Sequence, residues 1–228
     1  MLNITYFGHS CFLVDSGKVN ILFDPFIKGN ELAKGVVSIN EIKTDYIFIS
    51  HGHDDHTADF LEIAKNNDAT LIANWEICSW AAKNGHTKSH PMNIGGTKSF
   101  EHFKLKMTAA VHSSSFSDGT YGGTATGCIV TMNDVNFYYA GDTALFTDMK
   151  LIATQAKIDF CFLPIGDNFT MDDNQAVVAA DFLNCNKVIA MHYDTFGFIK
   201  VDHDQVKQTF DKFDKELYLM DIGGTLTL

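Results

Sequence analysis

Apolar and polar positions alternate through the opening of the chain. Residues 2–7, 10–14 and 19–23 each show the two-residue period of a half-buried strand, and the turn Asp15-Ser16-Gly17-Lys18 joins the last two. Residues 45–50 (Asp-Tyr-Ile-Phe-Ile-Ser) predict a buried strand that ends directly at His51. The period then lengthens, with Phe60, Leu61 and Ala64 marking one face of a helix over 58–66. A strand over 70–73 and a helix over 76–83 follow, the helix stopped by Asn84-Gly85. The middle reads as β: a strand over 104–111, a Gly/Ser/Thr-rich loop over 113–126, then strands 128–132 and 135–140 in a hairpin around Asn133-Asp134. A loop of that length inside a compact domain is usually functional or mobile. Helices over 145–153, 174–183 and 205–213 then alternate with strands over 158–163, 187–191 and 216–220.

Two stretches echo each other. Cys11, Val19-Asn20 and Asp24 recur in type and order as Cys128, Val135-Asn136 and Asp142, each a hairpin whose second strand runs into an aspartate. No linker separates the two β-rich halves, and helices follow each one. The expected architecture is α/β: a four-layer α/β/β/α sandwich with pseudo-two-fold symmetry, forming a single domain over 1–228.

Composition narrows the function. Of 228 residues, 46% are hydrophobic and 20% charged, the balance of a folded globular chain, and 19 phenylalanines supply core material. The formal net charge is −11, and all 17 basic residues are lysines. A nucleic-acid surface needs a basic face, so nucleic acid is an unexpected partner. Without arginine there is no planar bidentate fork for phosphate or carboxylate, so an anionic substrate must rely on lysine, backbone N–H groups or a metal. Cys11, Cys78, Cys128, Cys161 and Cys185 are odd in number and lack C-x-x-C spacing, which predicts buried free thiols. The first ten residues have no basic leader and no apolar run approaches the ~20 residues of a membrane span, so the expected location is the cytoplasm, with no membrane contact.

The chemistry concentrates in His51-Gly52-His53-Asp54-Asp55-His56, where five of six residues are potential ligands set on the end of a buried strand. His51 and His53 face one ion, with Gly52 allowing the turn between them, and Asp55 and His56 turn towards a second. His112, Asp142 and His192 stand at three other strand ends, as a site along one edge of a sheet sandwich requires. His9, in Gly8-His9-Ser10, is a candidate proton donor or supporting imidazole. Asp24 before Pro25 is a candidate partner for a ligand imidazole. Asn168 is a candidate donor to a substrate oxygen, and Tyr193 a candidate pocket wall. His86, His90, His102 and His203 fall in turn or amphipathic contexts and read as surface residues.

The order His-x-His-x-Asp-His, a distant His112, Gly141-Asp142-Thr143 and a late His192 resembles the metallo-β-lactamase superfamily. Tyr6-Phe7-Gly8-His9-Ser10, Leu22-Phe23-Asp24-Pro25 and the run from Leu163 to Met171 are similar to a small bacterial branch of metal-dependent hydrolases related to L-ascorbate-6-phosphate lactonase. The resemblance implies that His51, His53 and His112 bind one metal, Asp55, His56 and His192 a second, and Asp142 bridges them. It implies two divalent ions, zinc first, with manganese, iron or nickel suiting the same donors. It implies a hydrolase in which a metal-bridging hydroxide, held by Asp55, attacks a small ester, lactone or phosphodiester, and it implies a homo-oligomer. An RNA nuclease and a non-catalytic metal sensor are the alternatives. The acidic charge weighs against the first, and the complete ligand set against the second.

Overall fold

The short alternating runs of the N-terminal half become β1 (Asn3–Gly8), β2 (Cys11–Asp15), β3 (Asn20–Phe23), β4 (Tyr46–Phe48), β5 (Thr70–Asn74) and β6 (Ser89–Met92) in the computed structural model, which describes residues 1–228. The second half supplies β7 (Thr97–Ser99), β8 (Phe103–Ala109), β9 (Thr126–Met132), β10 (Val135–Tyr139), β11 (Phe160–Pro164), β12 (Lys187–Met191) and β13 (Glu216–Tyr218), and the last strand is β14 (Thr225–Thr227). Two seven-stranded sheets result, in the orders β14-β1-β2-β3-β4-β5-β6 and β7-β8-β9-β10-β11-β12-β13. Helices α1 (Asp54–Thr57), α2 (Phe60–Asn67) and α3 (Trp75–Lys83) follow strands of the first sheet; α4 (Met149–Ile152), α5 (Asp173–Phe182) and α6 (His203–Lys212) follow strands of the second. This is the metallo-β-lactamase α/β sandwich.

The two sheets repeat one pairing scheme. In the first, β14/β1, β1/β2 and β2/β3 are antiparallel and β3/β4, β4/β5 and β5/β6 parallel. In the second, β7/β8, β8/β9 and β9/β10 are antiparallel and β10/β11, β11/β12 and β12/β13 parallel. The echo in the sequence is therefore a topological repeat, in which Asp24 after β3 corresponds to Asp142 after β10. The β1–β2 turn with His9 corresponds to the β8–β9 loop with His112.

Strand patterning explains the stacking. The inner faces of both sheets and the helices covering the second sheet form one cluster of 43 buried residues, where Phe12 lies 4.7 Å from Phe162 and Phe23 4.7 Å from Tyr139 between ring centroids. β11 is buried at every position, as expected for a central parallel strand covered on both faces. A second cluster of 18 residues joins the outer face of the first sheet to α2 and α3. All five cysteines are free and buried.

Three differences from the sequence expectations have local causes. The helix expected over 145–153 is reduced to α4, because Ala144 N–H bonds to Val111 O and Thr143 Oγ1 accepts from Val111 N–H, pinning the chain beside His112. The edge strands β6 and β7 carry no apolar alternation, and β14 alternates over only three residues, so the sequence pattern does not reveal them. The long β8–β9 loop is tied down: Phe116 stacks on Trp80 at 4.1 Å, and Asn74 Nδ2 donates to Gly122 O and Thr124 O.

Candidate metal centre

The β4 strand delivers His51 at the sheet edge, and Ser50 O accepts from Thr126 N–H and Oγ1–H, joining the two sheets beside the site. His53 then caps the single turn α1, which carries Asp55 and His56 on its inner side. The second sheet answers with His112 from the β8–β9 loop, Asp142 after β10 and His192 after β12. Gly141 has φ +62°, and a Cβ there would lie 2.6 Å from Thr126 O and 2.8 Å from Ser50 Cβ. Only glycine brings Asp142 this close to the first sheet. Gly52, read from sequence as a turn residue, is needed for another reason, close approach of its backbone to Gly122.

All seven residues expected to bind metal converge. His51 Nε2 and His53 Nδ1 are 3.0 Å apart, and with His112 they form one group. His9, Asp55, His56 and His192 form another. Asp142 lies between the groups, its carboxylate 2.9 Å from His192 Nε2, 3.4 Å from His56 Nε2, 3.5 Å from His112 Nε2 and 3.9 Å from His51 Nε2. Two ligands on one tetrahedral ion with bonds of about 2.0–2.1 Å sit about 3.3 Å apart, so these separations suit divalent ions. His56 Nε2 and Asp142 Oδ1 are buried with no hydrogen-bond partner, a costly arrangement that coordination relieves.

The partners behind the ligands orient them. Asp24 is fully buried; its Oδ2 accepts from His56 Nδ1 at 2.8 Å, Ser50 Oγ at 2.6 Å and Tyr139 OH at 2.8 Å, and its Oδ1 from Ser50 N–H at 2.8 Å. Because Ser50 spends its hydrogen on Asp24, its oxygen accepts from His51 Nδ1–H at 2.9 Å, leaving His51 Nε2 free to face the site. Burial and Asp24 push the Tyr139 phenol well above its ordinary range, so it remains a donor. His9 Nε2 meets Asp55 Oδ2 at 3.0 Å and its Nδ1 meets Thr195 Oγ1 at 3.0 Å. His9 O accepts from His192 N–H at 2.9 Å, so His9 also fastens the His192 turn. His9, Asp24 and His192 all hold left-handed backbone, at φ +57°, +41° and +55°, strain that persists only where the surroundings enforce it.

The charges divide the site. Burial, followed by repulsion from neighbouring imidazoles, lowers His51, and burial, against the pull of a nearby carboxylate, lowers His53 and His112. Burial also opposes charge on His56 and His192, but Asp142 and Asp55 outweigh it, raising His56 and bringing His192 to about 9. Against burial, the imidazoles in turn hold Asp55 and Asp142 well below the carboxylate range. Burial and His192 lower His9 to about 4, despite Asp55. The charged form of His9 is therefore disfavoured, and both ring nitrogens are engaged, by Asp55 and Thr195.

Two expected residues stand apart. Tyr193 is buried and stacks on Tyr6 at 6.5 Å, facing packing rather than a cleft. Asn168 is exposed in a left-handed turn after β11, and its neighbour Phe169 takes the place in the cleft wall. That cleft, about 770 Å³, opens over Asp54 and Asp55 and is otherwise walled mainly by phenylalanines. His203 is half-exposed and pairs with Asp194 at 2.7 Å. Ser50, Tyr139 and Thr195 were missed; each stands in a run that reads as core or turn, and no spacing signals it.

Residues 3–192 match the family model described as "Beta-lactamase superfamily domain". The chain is 46% identical to a "UPF0173 metal-dependent hydrolase" of Christiangramia forsetii and 46% identical to one of Flavobacterium johnsoniae, with 100% of both chains covered in each case. A solved metallo hydrolase from the hyperthermophilic archaeon Ignicoccus hospitalis is 34% identical, with TM-score 0.88, covering 99% of this chain and 97% of that one. No helix here is long and apolar enough to cross a membrane.

Proposed function

The chain belongs to the beta-lactamase superfamily, and on that premise we propose that residues 1–228 form one metal-dependent hydrolase domain with two divalent ions, acting on a small ester, lactone or phosphodiester. The carrying observation is the pair of buried, unpartnered atoms, His56 Nε2 and Asp142 Oδ1, facing each other at 3.4 Å where two imidazole groups meet. His51, His53 and His112 would hold one ion and Asp55, His56 and His192 the other, with Asp142 between them available to both. Zinc suits these nitrogen and carboxylate donors, and manganese, iron and nickel follow.

Divalent ions in this setting supply Lewis acidity and bring the pKa of a coordinated water down to about 7. The chain's own residues do the rest. His9 fixes Asp55, its Nε2 on the carboxylate at 3.0 Å and its Nδ1 held by Thr195 Oγ1 at 3.0 Å. Asp55 is kept ionised and accepts a hydrogen bond that orients the attacking water. For an ester, the water oxygen joins the carbonyl carbon, the carbon–oxygen bond to the leaving group breaks, and the proton the water gives up ends on the leaving oxygen. The products are a carboxylic acid and an alcohol. Asp24 keeps His56 aimed inward, and Ser50 does the same for His51.

The test is hydrolysis of a panel of one ester, one lactone and one phosphodiester by protein loaded with zinc or manganese, alongside Asp55→Asn. Turnover of at least one substrate that Asp55→Asn lowers at least 100-fold supports the proposal. No turnover with verified metal content, or equal rates in the variant, contradicts it.

A further inference from the structure

The cleft above Asp55 has an uneven chemistry. Phe26, Phe169, Phe196 and Phe198 supply its apolar wall, and its only charged lining groups are Asp54 and Asp55. Phe26 and Phe196 stand against His9, their ring centroids 5.7 Å and 5.4 Å from the imidazole, so the wall begins at the residue that fixes Asp55. At the rim, Phe198 is 77% and Phe169 51% exposed, with their rings edge to face at 6.3 Å. Two large rings left in water beside a reacting centre, in a cleft of about 770 Å³, fit a small-molecule pocket better than packing.

We infer that the substrate carries an uncharged aryl or comparably bulky apolar group next to its scissile bond, seated against Phe26, Phe196 and Phe198. The inference rests on the hydrolase reading for its scissile bond, and on the cleft alone for its apolar group. A phosphate or carboxylate on that part of the substrate would meet Asp54, which holds no ion, with no lysine in the lining to balance it. An aryl group would instead be covered by rings, edge to face or offset, as aromatic pairs prefer. Specificity is therefore set by the wall, while the His and Asp cluster supplies the chemistry.

Two readouts separate the wall from the reaction. The first is equilibrium binding of non-hydrolysed amides, by ligand-observed NMR on the full chain: phenylacetamide, acetamide and phosphonooxyacetamide. Phenylacetamide should bind about 10- to 100-fold more tightly than either of the others, and Phe196→Ala and Phe198→Ala should each remove much of that difference. The second is the ratio of kcat/KM for methyl phenylacetate or benzyl acetate to that for methyl acetate, on the metal-loaded protein. At least one aryl ester should lead by about 10- to 100-fold, with the ratio falling towards one in Phe198→Ala. Phe198 is mostly in solvent, so its variant keeps the fold intact even if Phe196→Ala does not.

Preference for the phosphorylated amide, equal binding of all three, or a contrast untouched by both variants overturns the inference. So does a dimer of the wild-type chain that Phe198→Ala dissociates without any change in amide binding, since a second copy would then cover the rim. If no ester, lactone or phosphodiester is hydrolysed although phenylacetamide binds as expected, the hydrolase reading fails and the apolar pocket stands.

Discussion

His51, His53 and His112 meet one another through nitrogen atoms and share only Asp142 as a carboxylate neighbour, whereas His56 and His192 meet both Asp55 and Asp142. In the first group burial prevails and the imidazoles are driven towards neutrality. In the second the carboxylates prevail over burial, raising His56 and bringing His192 to about 9. Before any ion binds, the nitrogen-only group is ready to coordinate, while the mixed group is an internally neutralised set of ion pairs. Under the two-ion proposal, one part of the cluster would bind metal with little pH dependence near neutrality and the other would release protons on binding.

The hardest way to break that comparison is to remove the residue both groups share. Asp142→Ala should lower hydrolysis about 10³-fold or more and cost at least one ion per chain, read by initial rates and element analysis. Full activity in that variant would mean that the groups work separately. Next come the one-sided changes. His112→Ala should weaken metal binding on the nitrogen-only side and cost roughly 100-fold in rate, while His203→Ala, half-exposed against Asp194, should stay within about two-fold. Equal losses in the two variants would refute the ligand assignment. Asp24→Asn acts from behind His56 and should reduce metal affinity about 10- to 100-fold, with the loss falling mainly on the mixed group.

These contrasts show which parts of the molecule the sequence discloses. The His51–His56 loop is legible because five potential ligands crowd one strand end, and His112, Asp142 and His192 because each stands at the end of a strand. The repeat of Asp24 and Asp142 is legible as a faint echo, and it becomes firm only when the pairing of both sheets is known. Tyr139 reads as core, since its role comes from Asp24, far away in sequence and on the opposing sheet. Ser50 looks like a strand end, and Thr195 a loop hydroxyl; neither pattern nor propensity encodes contacts made by packing two sheets together. The Leu145 region failed as a helix because tertiary bonds to Val111 overrode its period.

A smaller effect sharpens the comparison through pH. His192 in the metal-free protein titrates at about 9, above its ordinary 6.5, so the fold favours its protonated form. That stabilisation is fully present below pH 6.5 and is lost as pH rises through 9. His9 is held near 4, so its contribution is present above pH 6.5 and is lost as pH falls through 4. The melting temperature of chelated protein should therefore decline on the alkaline side by loss of the His192 contribution, and in metal-loaded protein this alkaline decline should disappear. Equal alkaline behaviour with and without metal would count against a proton-for-metal exchange at the mixed group.

The most direct test of the central claim is anomalous diffraction at the zinc edge from crystals of zinc-loaded protein. The account predicts two peaks, one ringed by His51, His53 and His112 and the other by Asp55, His56 and His192, with Asp142 reaching both. No peak within the cluster, or strong peaks only at surface histidines such as His86 or His203, would contradict it.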